Sequence, residues 1–137
     1  MSFWLVKSEP DVYSIDDLKK DNRTSWEGVR NYQARNFLRD GMKNGDLILF
    51  YHSNAEPPGA AGVCRVAKEG YPDKTAKEPG WICVDVEFVE KFPRFVPLDA
   101  LKSNPKLKGM LVAKRGMRLS VQPVEKAHFD EVVRLGR

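Results

Sequence analysis

The apolar residues of this chain come in short runs, and the longest, residues 47–51 (LILFY), has five residues. A helix that spans a membrane needs about 20 consecutive apolar residues, so the sequence predicts no membrane segment. An Asn-Gly-Asp turn precedes the run, and a loop rich in proline and glycine follows it. A short, unbroken apolar run between turns is typical of a strand that is covered on both faces. Residues 47–51 are therefore predicted to form the central strand of a sheet.

Further segments have the alternating or β-branched composition of strands. Residues 81–92 (WICVDVEFVEKF) show it most clearly, because every second residue from 82 to 88 is apolar. The alternating partners are Cys83, Asp85 and Glu87. The other predicted strands are residues 3–7, 63–71 and 118–124.

Capping and periodicity signals predict several short helices. Ser14 begins the first helix, and Asp17, three residues later, completes a capping box. Asn31 is the predicted N-cap of a second helix that ends at Gly41. Because strands and helices do not alternate regularly, residues 1–137 are predicted to form a single α+β domain with a curved or barrel-like sheet. The remaining predicted helices are residues 98–104 and a C-terminal segment around residues 129–133.

Length and charge fit an ordinary globular domain and exclude a strongly basic polycation. The 137 residues suit one domain, and 42% hydrophobic residues are enough for a core. The formal net charge of +4 permits an acidic partner such as nucleic acid without requiring one. The N-terminus has no signal-peptide pattern, so the expected location is cytoplasmic, or nuclear in a eukaryotic cell.

Cysteine and histidine usage indicates neither a disulfide framework nor a metal site. Cys64 and Cys83 lie in apolar stretches and are predicted to be reduced core thiols, although a disulfide could form if their strands pair. His52 and His128 are far apart in the sequence and lack the spacing of zinc ligands. No metal and no cofactor is expected.

Residues 25–40 (SWEGVRNYQARNFLRD) combine a tryptophan, a glycine, arginines and asparagines in one short segment. A core element would be more apolar, and a solvated linker would rarely contain a tryptophan. Residues 24–29 are predicted to be irregular, ahead of the helix that Asn31 caps. The segment is therefore the first candidate for a functional site.

Several segments of the chain together resemble the EVE domain, a member of the PUA-like group. They are FWLVKSEPDVYSIDDL, SWEGVRNYQARNFLRDGMKNGDLILFYHS, PGAAGVCRV, YPD and RLSVQPV, in the family's order over nearly the whole chain. The resemblance implies a PUA-like pseudobarrel, a curved mixed β-sheet with short helices at its periphery. EVE domains occur as small bacterial proteins, and a monomer is expected.

The resemblance also implies a function. EVE domains are similar to the YTH domain, which reads methylated adenine in RNA. The implied function is a nucleic-acid-binding module for DNA or RNA that carries a methylated or hydroxymethylated base. The base would be extruded into an aromatic pocket and read there without chemistry on it.

Trp26 is the predicted aromatic wall of this pocket. A base that leaves its stack loses stacking energy, and an aromatic face restores about 1–3 kcal/mol per base. The neighbours of Trp26 are polar or small, which favours a pocket over the alternative of a core tryptophan. Gly28 is either a point of close backbone approach, with Val29 packing beside it, or an ordinary turn glycine.

Polar and cationic side chains are predicted to bind the base edge and the phosphate. An unpaired polar group in a buried base edge costs about 1–3 kcal/mol, so the edge needs partners from the protein. Arg30 is the predicted phosphate ligand, together with the free N–H groups of the helix that begins at Asn31. The full set of predicted nucleic-acid-binding residues is Lys7, Ser8, Glu9, Trp26, Gly28, Val29, Arg30, Asn31, Tyr51, His52, Ser53, Ser120 and Gln122.

Structural alternatives stay open for several of these side chains. Glu9 could be a simple turn residue instead of an acceptor for a base amino group. Gln122 is as well explained as a surface strand residue. Arg35 is expected to share a helix face with Arg39, or to pair with Glu27 or Asp40. A wider basic surface, or a merely solvated exterior, is predicted for Lys7, Lys114, Arg115 and Arg118.

One segment departs from the family pattern. Many EVE domains carry a longer acidic and aromatic stretch after the Tyr-Pro-Asp turn, whereas this chain has only residues 74–80 (KTAKEPG). If that stretch lines the pocket in relatives, the resemblance implies a more open site here and a different base preference.

An enzyme is the main alternative to a binding module. PUA-like relatives of the ASCH type hydrolyse acylated nucleosides with a lysine, a hydroxyl residue and a carboxylate, and Lys7, Ser8 and Glu9 offer those types. Consecutive strand residues point to opposite faces, so Ser8 is expected to face away from the other two unless the strand bends. No nucleophile-elbow, zinc-protease or P-loop motif is present. Catalysis is therefore less favoured, and a protein-interaction module on the same fold is a further alternative.

Overall fold

One six-stranded mixed sheet organises the chain. The computed structural model describes residues 1–114, 116 and 118–137. The strands are β1 (Phe3–Ser8), β2 (Arg23–Trp26), β3 (Leu47–His52), β4 (Gly59–Pro72), β5 (Ile82–Pro97) and β6 (Val121–Val124). They lie in the order β2-β5-β4-β3-β1-β6, in which β1 and β3 are parallel and the other paired neighbours are antiparallel. Register shifts interrupt β3–β4 and β4–β5, and such bulges bend strands. The predicted α+β fold with a mixed sheet is confirmed.

Short helices lie around the sheet, and both predicted N-caps are confirmed. Ser14 and Asp17 form the capping box. Asn31 Oδ1 accepts a hydrogen bond of 3.0 Å from the N–H of Ala34. Within the described residues, no helix is both long and apolar enough to span a bilayer. The helices are α1 (Ile15–Asp21), α2 (Tyr32–Asn36), which continues as a π-helical turn (Phe37–Gly41), α3 (Leu98–Ser103) and α4 (Lys126–Gly136).

The hydrophobic core lies on both sides of the sheet, as the alternation along β3 shows. Ile48 and Phe50 belong to one buried cluster, whereas Leu49 and Tyr51 belong to the other. Burying an apolar side chain of this size contributes about 1.5–3 kcal/mol, so this strand supplies a large share of the core. The prediction that residues 47–51 form a central strand covered on both faces is confirmed.

The two cysteines are free and buried, as predicted. Their strands β4 and β5 do pair, but Cys64 lies opposite Phe88 and Cys83 lies opposite Tyr71, so the thiols do not face each other. Burial raises the pKa of both thiols, which keeps them protonated and unreactive. Among the residues that the structure describes, no three metal-ligating side chains gather in one place.

Strand β2 corrects the prediction that residues 24–29 are irregular for residues 24–26, whereas residues 27–29 are irregular as predicted. It pairs antiparallel with β5, which places Trp26 opposite Val84. Arg23 also forms an ion pair of 3.0 Å with Asp85. These partners are about sixty positions away in the sequence, so the local pattern did not reveal them. Because β2 is an edge strand that ends at Trp26, the indole stands where the sheet gives way to the loop of residues 27–31.

Candidate nucleic-acid interface

A cavity of about 520 Å³ opens where the ends of β1 and β2 meet the loop of residues 27–31. Pockets for small ligands have volumes of about 300–1,000 Å³, so the cavity has room for one base. The predicted binding residues that line it are Lys7, Ser8, Glu9, Trp26, Gly28, Val29, Arg30, Asn31 and Ser120. The lining residues that were not predicted as binding residues are Val12, Tyr13, Thr24, Ser25 and Glu27.

Trp26 is half-buried and forms part of the cavity wall. Its ring packs edge-on against fully buried Phe50, with 5.5 Å between ring centroids, and against Tyr13 at 6.4 Å. Burial and the hydrogen bond that its hydroxyl donates to Asp21 raise the pKa of Tyr13 to about 12, so this neighbour stays neutral. The indole is thus supported by the core and still open to the cavity.

The loop of residues 27–31 is held by the buried carboxylate of Asp73. This carboxylate accepts hydrogen bonds from the N–H of Gly28 (2.8 Å), from Arg30 Nη1 (3.0 Å) and from the N–H and hydroxyl of Thr75 (2.8 and 2.6 Å). We call these four residues the Asp73 network. Burial alone would raise the pKa of Asp73, but the hydrogen bonds from Thr75, Gly28 and Arg30 hold it well below its usual value.

Two features of the Asp73 network bear on the sequence predictions. Gly28 has a φ of +85°, and a Cβ there would meet no atom within 4 Å. Glycine is therefore required by the turn and not by crowding, which favours the turn interpretation. Asp73 itself was not predicted as a site residue, and its only sequence signal is the Tyr-Pro-Asp turn.

Arg30 lines the cavity, and its positive charge is already partly balanced by Asp73. Besides its ion pair with Asp73, its Nη2 donates to the Thr75 hydroxyl at 3.2 Å. Its guanidinium carbon lies 5.5 Å from the ring centroid of Trp81. The side chain remains 37% exposed, so it can face a phosphate only from this fixed position.

Arg35 does not pair with Glu27 or Asp40, and those predictions were wrong. Its Nη1 donates to the carbonyl of Gly80 at 2.8 Å, and its Nε donates to Asn36 Oδ1 at 2.8 Å. Asp40 instead pairs with Arg39. The reason is that residues 74–80 return to α2 and bring the Gly80 carbonyl within reach, a contact between distant parts of the sequence.

Lys7, Ser8 and Glu9 all line the cavity, which is the exception that the expectation allowed for a bend at Ser8. Strand β1 ends at Ser8, and the chain turns there, with the carbonyl of Glu9 accepting from the N–H of Tyr13. The Ser8 hydroxyl donates to the Tyr13 carbonyl at 2.6 Å. Glu9 accepts from the Asn54 side chain at 2.8 Å. Burial lowers the pKa of Lys7.

The other predicted residues lie outside this cavity. Tyr51 and Ser53 line a second cavity of about 320 Å³. His52 Nε2 accepts a hydrogen bond of 3.1 Å from the N–H of Ile15, and burial lowers the pKa of this histidine. Gln122 is only 1% exposed, so neither the surface nor the contact interpretation holds.

Gln122 is buried because β6 pairs with β1 and turns this side chain inward, opposite Leu5. Its Nε2 donates to the carbonyl of Leu119 at 2.7 Å, which satisfies the amide within the protein. Of the predicted basic surface, Lys7 lines both cavities and Lys114 lines the second. Arg118 is exposed, and Arg115 lies outside the described residues.

The chain is similar to known proteins over nearly its full length. The sequence profile of the EVE domain matches residues 2–135. Human thymocyte nuclear protein 1 is 43% identical over 167 aligned positions, which cover 98% of this chain and 73% of that protein. The alignment is longer than the 137 residues of this chain, so the human protein carries insertions relative to it.

Solved structures agree with the sequence match. A protein from Pseudomonas putida is 41% identical, with a TM-score of 0.94 and coverage of 99% of this chain and 100% of that chain. Human thymocyte nuclear protein 1, solved in complex with DNA containing 5-methylcytosine, is 43% identical, with a TM-score of 0.89 and coverage of 100% and 98%.

A more distant structure shares the fold alone. The YTH domain of the Zygosaccharomyces rouxii MRB1 protein, solved with N6-methyladenosine RNA, is 16% identical, with a TM-score of 0.63. The match covers 99% of this chain and 86% of that one. With the family profile, the close relatives and the fold in agreement, the chain belongs to the EVE domain family.

Proposed function

We propose that this protein binds DNA or RNA that carries a modified base and holds that base, turned out of its stack, in the cavity beside Trp26. The observation that carries the proposal is a half-buried indole that is supported by the core and lines a cavity with room for one base. The complex of human thymocyte nuclear protein 1 with 5-methylcytosine DNA supports the same class of ligand.

The chemistry of the lining suits a nucleobase. Stacking on Trp26 contributes about 1–3 kcal/mol for any base, because every base has a π-face. Selectivity among bases must come from the polar rim. Glu9 and Glu27 supply acceptors for the exocyclic amino group that cytosine and adenine share. Lys7 and Arg30 place positive charge beside the phosphate of the extruded nucleotide.

One copy of the chain supplies all of these lining residues. The proposal therefore requires only a monomer, in line with the expectation from the resemblance. The Asp73 network keeps the loop of residues 27–31 in place before the ligand arrives, which lowers the entropy lost on binding.

A binding array tests the proposed function. Purified protein is titrated into fluorescent DNA and RNA oligonucleotides that carry 5-methylcytosine, 5-hydroxymethylcytosine, N6-methyladenine or the plain bases. The proposal predicts that at least one modified oligonucleotide binds more tightly than its plain counterpart, and that the affinity falls with salt. Equal affinity for every modified and plain pair would refute it.

Hydrolysis of a modified nucleoside is the second candidate, and one observation favours it. Lys7, Ser8 and Glu9 line the same cavity, and burial lowers the pKa of Lys7, which is the direction that a general base requires. Against it, the Ser8 hydroxyl donates its hydrogen to a carbonyl and not to a base. Mass spectrometry of modified nucleosides after incubation decides between the two, because turnover that is abolished by Lys7→Ala would establish the enzyme.

A further inference from the structure

We propose that Tyr32, Trp81 and Arg35 form an aromatic platform that stacks the unmodified nucleotide next to the modified base. This inference rests on the proposed function and adds a second contact point for the same strand. It predicts that the protein contacts at least two consecutive nucleotides and distinguishes a modified from a plain base at only one of them.

The platform is a stacked aromatic pair in which Tyr32 is exposed and Trp81 is half-buried. Tyr32 is 66% exposed although it is a large aromatic side chain. Its ring stacks on Trp81 with 5.0 Å between centroids and an angle of 22° between the planes. Stacked aromatic rings that remain accessible are surfaces on which single-stranded nucleic acids place their bases.

Positive charge lies beside the same rings. The guanidinium carbon of Arg35 is 5.3 Å from the Tyr32 ring centroid and 5.9 Å from that of Trp81. Its hydrogen bonds to Gly80 and Asn36 go to neutral oxygens. Among the described residues Arg35 forms no ion pair within 4 Å. The nearby carboxylate of Asp40, on which its charge also acts, already pairs with Arg39, so the Arg35 guanidinium can still face a phosphate.

The platform is continuous with the base cavity. Arg30 and Asn31 line the cavity, and Tyr32 follows them directly in the chain. Arg30 also lies over the ring of Trp81. When the modified base of a nucleic-acid strand enters the cavity, the neighbouring nucleotide must lie near Arg30 and Asn31. There the platform offers it a π-face and a cation. In the described part of the chain, Tyr32 and Trp81 lie outside the cavity lining, so the two contacts are separable.

The partner is therefore a single-stranded or locally unpaired nucleotide of any sequence. Stacking on aromatic rings tolerates all four bases, whereas hydrogen bonds to base edges would select among them. The platform would add affinity, and the cavity would supply the discrimination between modified and plain bases.

The test compares a mononucleotide with an oligonucleotide. The probes are the 5′-monophosphates of 5-methyldeoxycytidine and N6-methyladenosine, and five-nucleotide single strands with the same base at the centre. Isothermal titration calorimetry is run on the wild type and on Tyr32→Ala, Tyr32→Leu and Tyr32→Phe. Phe95→Ala is the matched control, because Phe95 is an exposed aromatic residue (38%) outside the cavity lining.

We expect Tyr32→Ala and Tyr32→Leu to lower the affinity for the five-nucleotide strand by roughly 5- to 150-fold, the loss of one stacked base. They should leave the mononucleotide within about twofold of the wild type, and Tyr32→Phe and Phe95→Ala should change neither affinity. Equal losses for both probes, or no loss for either, overturn the platform while the proposed function stands. A wild type that binds neither kind of probe overturns the proposed function and the platform with it.

Discussion

Trp26 is fixed before any ligand binds. The ring contacts Phe50 and Tyr13 on its supported sides, so its orientation is set by the core. A prearranged aromatic wall loses little side-chain entropy on binding, which makes the stacking energy available for affinity. The sequence pointed to Trp26 through its polar neighbours, but its support from Phe50 depends on the fold and has no local signal.

Replacing Trp26 should therefore remove the preference for the modified base. We expect Trp26→Ala to lower the affinity for the preferred oligonucleotide by roughly 5- to 150-fold and to bring the ratio of modified to plain dissociation constants close to one. Trp26→Phe keeps an aromatic face and should retain most of the preference. Titration of both variants against a modified and plain pair measures this, and a full preference in Trp26→Ala would place the pocket elsewhere.

The buried carboxylate of Asp73 predicts a loss of stability in acid. Its pKa in the folded state lies below the unfolded value of about 3.9, so its contribution is complete above about pH 5 and is lost as the pH falls. Asp73→Asn removes the charge that accepts hydrogen bonds from Gly28, Arg30 and Thr75, and it should cost about 1.5–3 kcal/mol at pH 7. Thermal unfolding between pH 7 and pH 3 should then show a weaker pH dependence in Asp73→Asn than in the wild type.

Glu131 provides the control for this prediction. Hydrogen bonds from Arg134 and Asn104 lower the pKa of Glu131 to about 2. Its contribution to folding stability is therefore also lost as the pH falls. Glu131 lies on α4, outside the cavity lining. Glu131→Gln should weaken the pH dependence and leave oligonucleotide affinity unchanged, whereas Asp73→Asn should reduce both. An Asp73→Asn protein with wild-type pH dependence would show that this carboxylate is not held as the geometry indicates.

At the scale of elements, the two N-caps make a matched pair. Ser14 caps α1 and Asn31 caps α2 with hydrogen bonds of 3.2 and 3.0 Å to backbone N–H groups. Removing either cap should cost about 0.5–2 kcal/mol of stability. Only Asn31 lines the cavity, so Asn31→Ala should also weaken oligonucleotide binding and Ser14→Ala should not.

Chemical denaturation and titration of the same two variants check this prediction. Equal stability losses with weaker binding in Asn31→Ala alone would support a double role for Asn31. Equal binding losses in both variants would mean that helix stability, and not the position of Asn31, controls the site.

Elements with local signals were predictable from the sequence, and those that depend on distant partners were not. Residues close together in the sequence determine three of these features: the alternation of β5, the apolar run of β3 and the two N-caps. Strand β2 exists because β5 offers it a partner, and the helix after Asn31 changes to a π-helical turn at Phe37. Strand pairing and packing between distant residues leave no periodic pattern in the local sequence.

At the scale of the whole molecule, the sheet order explains why the site lies where it does. Strand β2 forms one edge of the sheet, beside β5, while β1 lies near the other edge. The ends of β1 and β2 nevertheless line one cavity, so the sheet must curve to bring them together. The family resemblance predicted this architecture, and most of the predicted site residues came together because they belong to two segments that the curvature unites.

The candidate site was only partly predictable for the same reason. Gln122 and His52 are polar residues in motifs that suggested a binding site. The register of β6 turns Gln122 inward, where it donates to the Leu119 carbonyl. The position of α1 lets His52 accept from the N–H of Ile15. Asp73 and Trp81 border residues 74–80, the segment that is short in this chain, and they contact the loop of residues 27–31 from more than 40 positions away. Whether the short segment gives a more open cavity than in relatives stays a prediction.

A crystal structure of the protein bound to the modified oligonucleotide that it prefers in the binding array would show directly where the modified base lies. We expect the modified base to lie outside its stack, in the cavity, with its ring about 3.5–4 Å from the Trp26 indole. A complex in which that base remains stacked in the nucleic acid, or occupies the second cavity beside Tyr51, would contradict it.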